Sequence, residues 1–146
     1  MGNSLYNKFN AFAALAFNGG DINLSTDTVK VMLTATQPVA TNAGYSDVNS
    51  TELASGGGYT TGGATLTLVS SGQVGGLYKY IATTPAPTWT GNAGGMGPFR
   101  YAIVYDSTAT GQPLMGWFDF GQYVTLTNAQ PFTLTLDQVN GLLTLS

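Results

Sequence analysis

PFRYAIVYDSTATGQPLMGWFDFG, residues 98–121, is the stretch that decides the fold. It contains two apolar runs, 101–105 and 114–120, that are dense in aromatic and β-branched residues, which fit a pleated and half-buried surface. The segment between them, 106–113, is rich in Ser, Thr, Gly and Pro, the residues that form turns. The sequence therefore predicts two central strands joined by a short loop.

Both faces of the second strand carry large apolar groups. Because side chains alternate along a strand, Met115, Trp117 and Asp119 are predicted to share one face. Phe118 and Phe120 are predicted to lie on the other face. We therefore expect both faces of this sheet to be covered, either within the chain or by a partner.

The remaining chain predicts one helix followed by roughly eight short strands with turn signals between them, which is typical of a sandwich rather than of βαβ units. The predicted fold is mainly β: an antiparallel β-sandwich, jelly-roll-like, with one N-terminal α-helix. We expect one domain over residues 1–146. It has the helix within 1–20 and the sandwich within 28–146, including a long excursion at 38–63.

The N-terminal helix is predicted from spacing. Ser4 is a plausible N-cap, and the alanines at 11, 13, 14 and 16 favour a helix. Its apolar face is predicted to contain Leu5, Phe9, Phe12 and Ala16. This face would pack on the chain's own sheet or dock on a neighbouring subunit.

Further strands are predicted where apolar residues alternate or β-formers cluster, at 28–34, 64–69, 77–82 and 88–90. The strands at 64–69 and 77–82 are predicted to be separated by breaks at Ser70-Ser71-Gly72 and at Gly75-Gly76. Residues 91–97 are predicted to form a glycine loop with Met96 at its tip. The dipeptide Asn140-Gly141 predicts a tight turn into a C-terminal strand.

Composition narrows the classes of function. The chain has no Cys and no His, which removes thiol chemistry, the usual general base and the commonest metal ligand. Charged residues make up 8% of the chain and the net charge is −3, so we expect no nucleic-acid partner. No apolar run approaches the roughly 20 residues of a spanning helix, so we expect no membrane partner. Such a polar but uncharged surface is typical of a protein that works in an assembly.

The sequence offers weak signals for chemistry. Asp106 and Asp119 lie on adjacent predicted strands, as in a carboxylate pair for hydrolysis. The alternative is that Asp106 caps its own turn and Asp119 pairs with Arg100 or Lys79. Residues Asp21, Asn23, Ser25 and Asp27 alternate like the start of a calcium loop. That motif would need Gly at its sixth position and Glu at its twelfth, where this chain has Thr26 and Met32. We expect no metal, no cofactor and no enzymatic activity.

Several aromatic residues are candidates for contact with a partner. Trp89, flanked by threonines, would stack on a sugar ring or plug the end of the sandwich. Tyr78 and Tyr80 share one face of their predicted strand and would meet a neighbour or join the edge of the core. The predicted partner-contact residues are Leu5, Phe9, Phe12, Tyr78, Tyr80, Trp89 and Met96.

Four motifs occur in order along the chain, within residues 19–32, 58–66, 100–106 and 116–121. Their sequences are GGDINLSTDTVKVM, GYTTGGATL, RYAIVYD and GWFDFG. Together they resemble those of a widespread group of small tailed-bacteriophage virion proteins. The glycine loop at 91–97 departs from that pattern, in which a plain strand entry is common.

The resemblance implies a structural protein of the virion, specifically a capsid decoration (cement) protein with a jelly-roll-like fold. It would bind the major capsid protein on the outer capsid surface after synthesis in the host cytoplasm. Self-association as a dimer or trimer is expected with it. A module of the tail or fibre that binds host-surface glycans is the alternative.

Overall fold

The computed structural model describes residues 5–18, 20–82, 86–137 and 143–145. These ranges contain one α-helix and ten strands. In chain order they are β1 (Leu5–Lys8), α1 (Asn10–Phe17), β2 (Val29–Thr34), β3 (Ala64–Thr65), β4 (Leu68–Val74), β5 (Leu77–Ala82), β6 (Thr88–Thr90), β7 (Met96–Asp106), β8 (Leu114–Leu126), β9 (Pro131–Thr133) and β10 (Leu143–Leu145).

The main sheet is antiparallel, with five strands in the order β1-β8-β7-β2-β3. Its longest ladder joins β7 to β8, with Ala102 opposite Phe118 and Ile103 opposite Trp117. The predicted central pair is therefore confirmed, and β8 extends six residues beyond Phe120 to Leu126. The prediction of a mainly β chain with antiparallel sheets and one helix near the N-terminus is confirmed, and a jelly roll is compatible with it.

Two smaller sheets contribute to the core on one face of the main sheet. Their strand orders are β10-β5-β4 and β6-β9. Tyr80 and Ala82 from the first, and Trp89 and Phe132 from the second, belong to the same buried cluster as Val104 of β7. This cluster, which we call the first core, is built largely from contacts between residues far apart in sequence.

The other face of the main sheet is covered by the excursion between β2 and β3. Val48 is buried there beside Met32, Ile103 and Trp117, in what we call the second core. Two 3-10 turns, Tyr45–Asp47 and Asn49–Thr51, give the excursion local order. The prediction that both faces of the sheet are covered is thus confirmed within this one chain.

A β-bulge in β8 overturns one predicted face assignment. Val104 lies opposite Gly116 and Tyr105 opposite Leu114, which leaves Met115 as an extra residue without a partner of its own. The alternation therefore shifts by one. Met115 packs in the first core, whereas Trp117 packs in the second. The prediction that these two side chains share a face was wrong.

The N-terminal helix is shorter than predicted. Residues Leu5–Lys8 form β1, which pairs with β8, and the helix begins only at Asn10. Without β1 this edge of β8 would be open. Pairing with it outweighs the local helical pattern, because it satisfies the backbone hydrogen bonds of both strands. Ser4 lies outside the described residues, so the predicted cap is untested.

Two further boundaries differ from prediction. The predicted break at Ser70-Ser71-Gly72 was wrong, because these residues lie inside β4. The break predicted at Gly75-Gly76 is confirmed as the turn, and both glycines have positive φ. Met96 begins β7 and is fully buried, so it does not lie at an exposed loop tip. The strands predicted at 77–82 and 88–90 are confirmed with those bounds, and 28–34 is confirmed except for its first residue. The turn predicted at Asn140-Gly141 lies outside the described residues.

The glycine run of the excursion is explained by a close backbone approach. Gly57 has φ of +65°, and a Cβ placed on it would lie 1.7 Å from the carbonyl oxygen of Gly95. The same contact is fastened by a hydrogen bond of 2.9 Å from the Asn92 N–H to the Gly57 carbonyl. Only glycine meets both requirements. The excursion and the 91–97 loop are thereby held side by side.

Candidate functional site

The most concentrated polar cluster surrounds Glu52, and we call it the Glu52 hub. One carboxylate oxygen accepts hydrogen bonds from the Tyr59 hydroxyl (2.6 Å) and the Gly62 N–H (2.6 Å). The other accepts from the Tyr45 hydroxyl. Tyr59 also accepts a bond from the N–H of Leu33 in β2 (3.1 Å). The hub therefore joins both ends of the excursion to the main sheet.

Aromatic contacts complete the hub. The ring of Tyr45 stacks on that of Tyr105, with centroids 4.7 Å apart, and the Tyr105 hydroxyl donates to the Gly62 carbonyl (2.7 Å). Burial raises the pKa of Tyr105 to about 12, and burial followed by the bond to Glu52 raises the pKa values of Tyr45 and Tyr59. These phenols stay protonated and act as donors. The carboxylate they occupy is committed to fastening the excursion.

A second cluster joins the loop before β2 to the loop after β7, and we call it the loop clamp. Both carboxylate oxygens of Asp21 accept from the Thr110 N–H (3.0 and 3.1 Å), and one also accepts from its hydroxyl (2.8 Å). Thr28 donates its N–H to the Thr108 hydroxyl (2.8 Å) and accepts from the Ser107 N–H (2.9 Å). The bond to the Thr110 hydroxyl, followed by that to its N–H, lowers the pKa of Asp21.

Asp106 is the fully buried member of the loop clamp. One of its oxygens accepts the N–H groups of Thr108 (2.9 Å) and Ala109 (3.1 Å), as predicted for a turn cap. The other oxygen, Oδ2, is also buried. It has no hydrogen-bond donor when the carboxyls of Asp106 and Asp27 are both ionised. Burial, followed by a shared hydrogen bond with the Asp27 carboxyl, raises the pKa of Asp106 to about 6. A proton held between the two carboxyls would satisfy the remaining oxygen.

The two acids proposed for hydrolysis are far apart. Asp106 donates its N–H to the Pro113 carbonyl (3.0 Å), whereas Asp119 lies opposite Tyr101, five residues earlier on β7. Five residues of strand span roughly 17 Å, and the paired carboxylates of a glycosidase lie ~5–9.5 Å apart. Asp119 instead forms an ion pair with Arg100 (2.8 Å), one of the two partners predicted for it.

The residues whose spacing is like the start of a calcium loop make local turns beside the loop clamp. Asn23 accepts the Ser25 N–H on its side-chain oxygen (3.2 Å), and Asp27 accepts the Asn23 N–H (2.7 Å). Within the described part of the chain, no three His, Cys, Asp or Glu residues are grouped as metal ligands. In those same ranges no helix is long and apolar enough to cross a membrane.

Most of the predicted partner-contact side chains are packed inside the chain. Tyr78 is half-buried, and its hydroxyl hydrogen-bonds with that of Ser71. Trp89 is only 6% exposed and packs near Phe132, with ring centroids 6.2 Å apart, as expected of a plug rather than a sugar platform. The side chain of Leu5 lies outside what the structure describes. The other buried members of the set are Phe9, Phe12, Tyr80 and Met96.

The exposed apolar side chains are different residues. Phe17, 71% exposed, and Leu15 lie on α1, whose sequence NAFAALAF carries no charge. Val69 and Val74, 51% and 63% exposed, lie with Leu68 on β4. Sequence periodicity missed these residues because it picks out the most regular apolar faces. Those faces were predicted to contact a partner, but most of their side chains pack inside the chain. The signal that could have found those on β4 is the absence of charge from residues 53–78.

The chain matches no protein-family model, no curated protein sequence and no solved structure. The resemblance to phage virion proteins, and the partners and location it implies, therefore stay predictions.

Replacing Glu52 by Ala should unfold the excursion first. The change leaves two part-buried hydroxyls and the Gly62 N–H without their acceptor, which costs about 1–3 kcal/mol for each group left unsatisfied. We expect the free energy of unfolding to fall by about 3 kcal/mol, with loss of hydrogen-exchange protection concentrated at 45–62. Glu52→Gln is the matched control, because it keeps one acceptor oxygen, and it should lose less than half as much. Equal losses in the two variants would argue against the hub.

Replacing Asp106 by Asn should alter how stability depends on pH. A folded-state pKa of about 6, above the usual 3.8, contributes stability that is fully present below pH 4 and is lost as pH rises through 6. Asn keeps the acceptor oxygen for the turn and donates to Asp27 without titrating. At pH 7.5 we expect Asp106→Asn to be more stable than wild type by about 1–3 kcal/mol in urea unfolding.

The other titratable group facing Asp106 is Tyr80, whose pKa is raised by burial to about 12, so it stays neutral in this range. Asp47→Asn is a control of opposite sign. Bonds from the Ala43 and Gly44 N–H groups lower the pKa of Asp47, so its contribution is present at neutral pH and lost in acid. Parallel pH profiles for wild type and Asp106→Asn would contradict the shared proton.

Proposed function

We propose that this chain is a non-enzymatic structural protein of a tailed-bacteriophage virion, a decoration protein that binds and stabilises the major capsid shell. The observation that carries the proposal is the apolar surface left exposed on the uncharged helix α1, where Phe17 and Leu15 face solvent. Exposed apolar side chains grouped on uncharged segments are typical of surfaces that bind other proteins. The four sequence motifs supply the identity of the partner.

The use of the carboxylates supports the same proposal. Six of the seven acidic residues accept hydrogen bonds from the chain's own groups, and these bonds cap turns or fasten loops: Asp21, Asp27, Asp47, Glu52, Asp106 and Asp119. Acids committed in this way stabilise a rigid body. A decoration protein needs such a body, because it must present the same surface to every capsid site it occupies.

The exposed ring of Phe17 is the side chain to test. We expect Phe17→Ser to weaken binding to capsid shells lacking this protein by at least tenfold, since burial of a Phe contributes about 1.5–3 kcal/mol. Ala13→Ser, at another exposed position of α1, is the matched control and should bind as wild type does. Co-sedimentation with purified shells measures both.

Shells with the protein bound should also withstand heat and osmotic shock better than bare shells. If the wild-type chain does not co-sediment with the shells, or does so without changing their resistance, the decoration role is excluded.

Glycan binding by a tail or fibre module is the second candidate, and one observation favours it. The ring of Tyr123 is 61% exposed, and the Arg100 guanidinium lies 5.8 Å from its centroid while pairing with Asp119. An open aromatic face beside charged hydrogen-bonding groups suits a sugar ring. Trp89, for which the sequence offered a sugar platform or a plug, is buried and does not offer such a face.

Binding to a glycan array would test this alternative. The wild-type chain should give a signal that Tyr123→Ala abolishes and Trp89→Phe preserves, because only the former side chain is on the surface. An array without signal from the wild-type chain would remove the candidate.

A further inference from the structure

Strand β4 is an open edge. Among the described residues it pairs only with β5 and ends the order β10-β5-β4. No backbone hydrogen bond links residues 68–74 to any described element other than β5. The outer N–H and C=O groups of such a strand are a template for pairing with another strand.

Natural proteins usually protect an open edge with charge or proline. The sequence of β4, LVSSGQV, contains neither, although a bulge at Val69 separates Leu68 from the regular register of Ser70–Val74. The five regularly paired residues therefore form an unprotected segment. The outer backbone groups along this segment are therefore free to form a ladder with a second strand.

The hairpin formed by β4 and β5 also exposes an apolar face. Tyr80 is buried in the first core, so the residues directly opposite one another at Ser71–Tyr80 point inward. The opposed pairs Ser70–Ile81, Gly72–Lys79 and Val74–Leu77 then lie on the outer face, where Lys79 is a charged side chain between the apolar Leu77 and Ile81. Apolar side chains thus continue from the edge onto the outer surface of the hairpin.

We infer that β4 is a self-association surface, on which the β4 edge of a second copy of this chain pairs antiparallel to form a continuous six-stranded sheet. The distribution of charge favours a second copy of this chain as the partner of β4. The chain carries a net charge of −3, so most contacts between two copies bring like charges together. Two β4 edges meet without any charge, because residues 53–78 contain none.

The symmetry of this pairing makes a specific geometric demand. Directly opposite residues on antiparallel strands share a face, so in a symmetric pair one residue must lie opposite its own copy. The regularly paired segment Ser70–Val74, laid fully against its own copy, puts Gly72 at that position. Opposed Cα atoms lie ~4.5–5.5 Å apart, within the range of a disulfide. Since the chain has no Cys, a single introduced Cys reports this contact alone.

The first experiment measures the oligomeric state of the purified chain by sedimentation. We expect a concentration-dependent dimer in the micromolar range, as suits an interface at the small end of the known sizes. Val69→Lys and Val74→Lys should each weaken the dimer at least tenfold. Val39→Lys, at a 59% exposed position outside the hairpin, is the matched control and should dimerise as wild type does.

The second experiment tests the register by oxidative cross-linking of single-Cys variants. Gly72→Cys should form a covalent dimer at least tenfold faster than Ser50→Cys, an exposed control in the excursion. Fast cross-linking of Ser71→Cys or Gln73→Cys instead would support the same edge in a shifted register. A monomer at every concentration, with all single-Cys variants cross-linking at the rate of Ser50→Cys, overturns the inference. Neither experiment involves a capsid, so its failure would leave the decoration role standing.

Discussion

Burial of both faces of the β2–β7–β8 ladder is the constraint on which this structure depends. A sheet covered on one face only can leave its other face polar, but here Val104 and Phe118 require cover on one side and Ile103 and Trp117 on the other. One chain must therefore supply two covers. The smaller sheets cover the first face with apolar residues of their own. The excursion covers the second face and has few apolar residues.

Because the excursion has few apolar residues, polar interactions are needed to hold it on the sheet. An excursion with few apolar residues does not gain enough from burial to be ordered by hydrophobic packing alone. Glu52 compensates by gathering two tyrosines and a backbone N–H around one carboxylate. The loop clamp likewise uses carboxylates as acceptors to fasten the loop at the end of β7. The few acidic side chains are thus used where the backbone needs fastening.

How far the sequence predicts this structure depends on the range of the interaction involved. Strands 77–82 and 88–90 follow from local pattern and were predicted with those bounds. β1 was mistaken for helix because its partner, β8, lies more than a hundred residues away. The bulge at Met115 leaves no local mark, so alternation assigned Met115 and Trp117 to one face. The Glu52 hub was also missed. Its donors and the Glu52 carboxylate come together only once the excursion has folded back on β2.

The way apolar surface is exposed limits the kind of association this chain can make. A broad apolar patch binds without direction, because hydrophobic contact has no preferred geometry. An open strand edge is different, since its hydrogen bonds fix orientation and its alternation fixes register. With β4 uncharged and the acids committed to loops, the surface favours association through a defined edge over nonspecific aggregation. A small interface of this kind becomes strong only when many copies are held in an array, where each bound neighbour raises the effective concentration of the next.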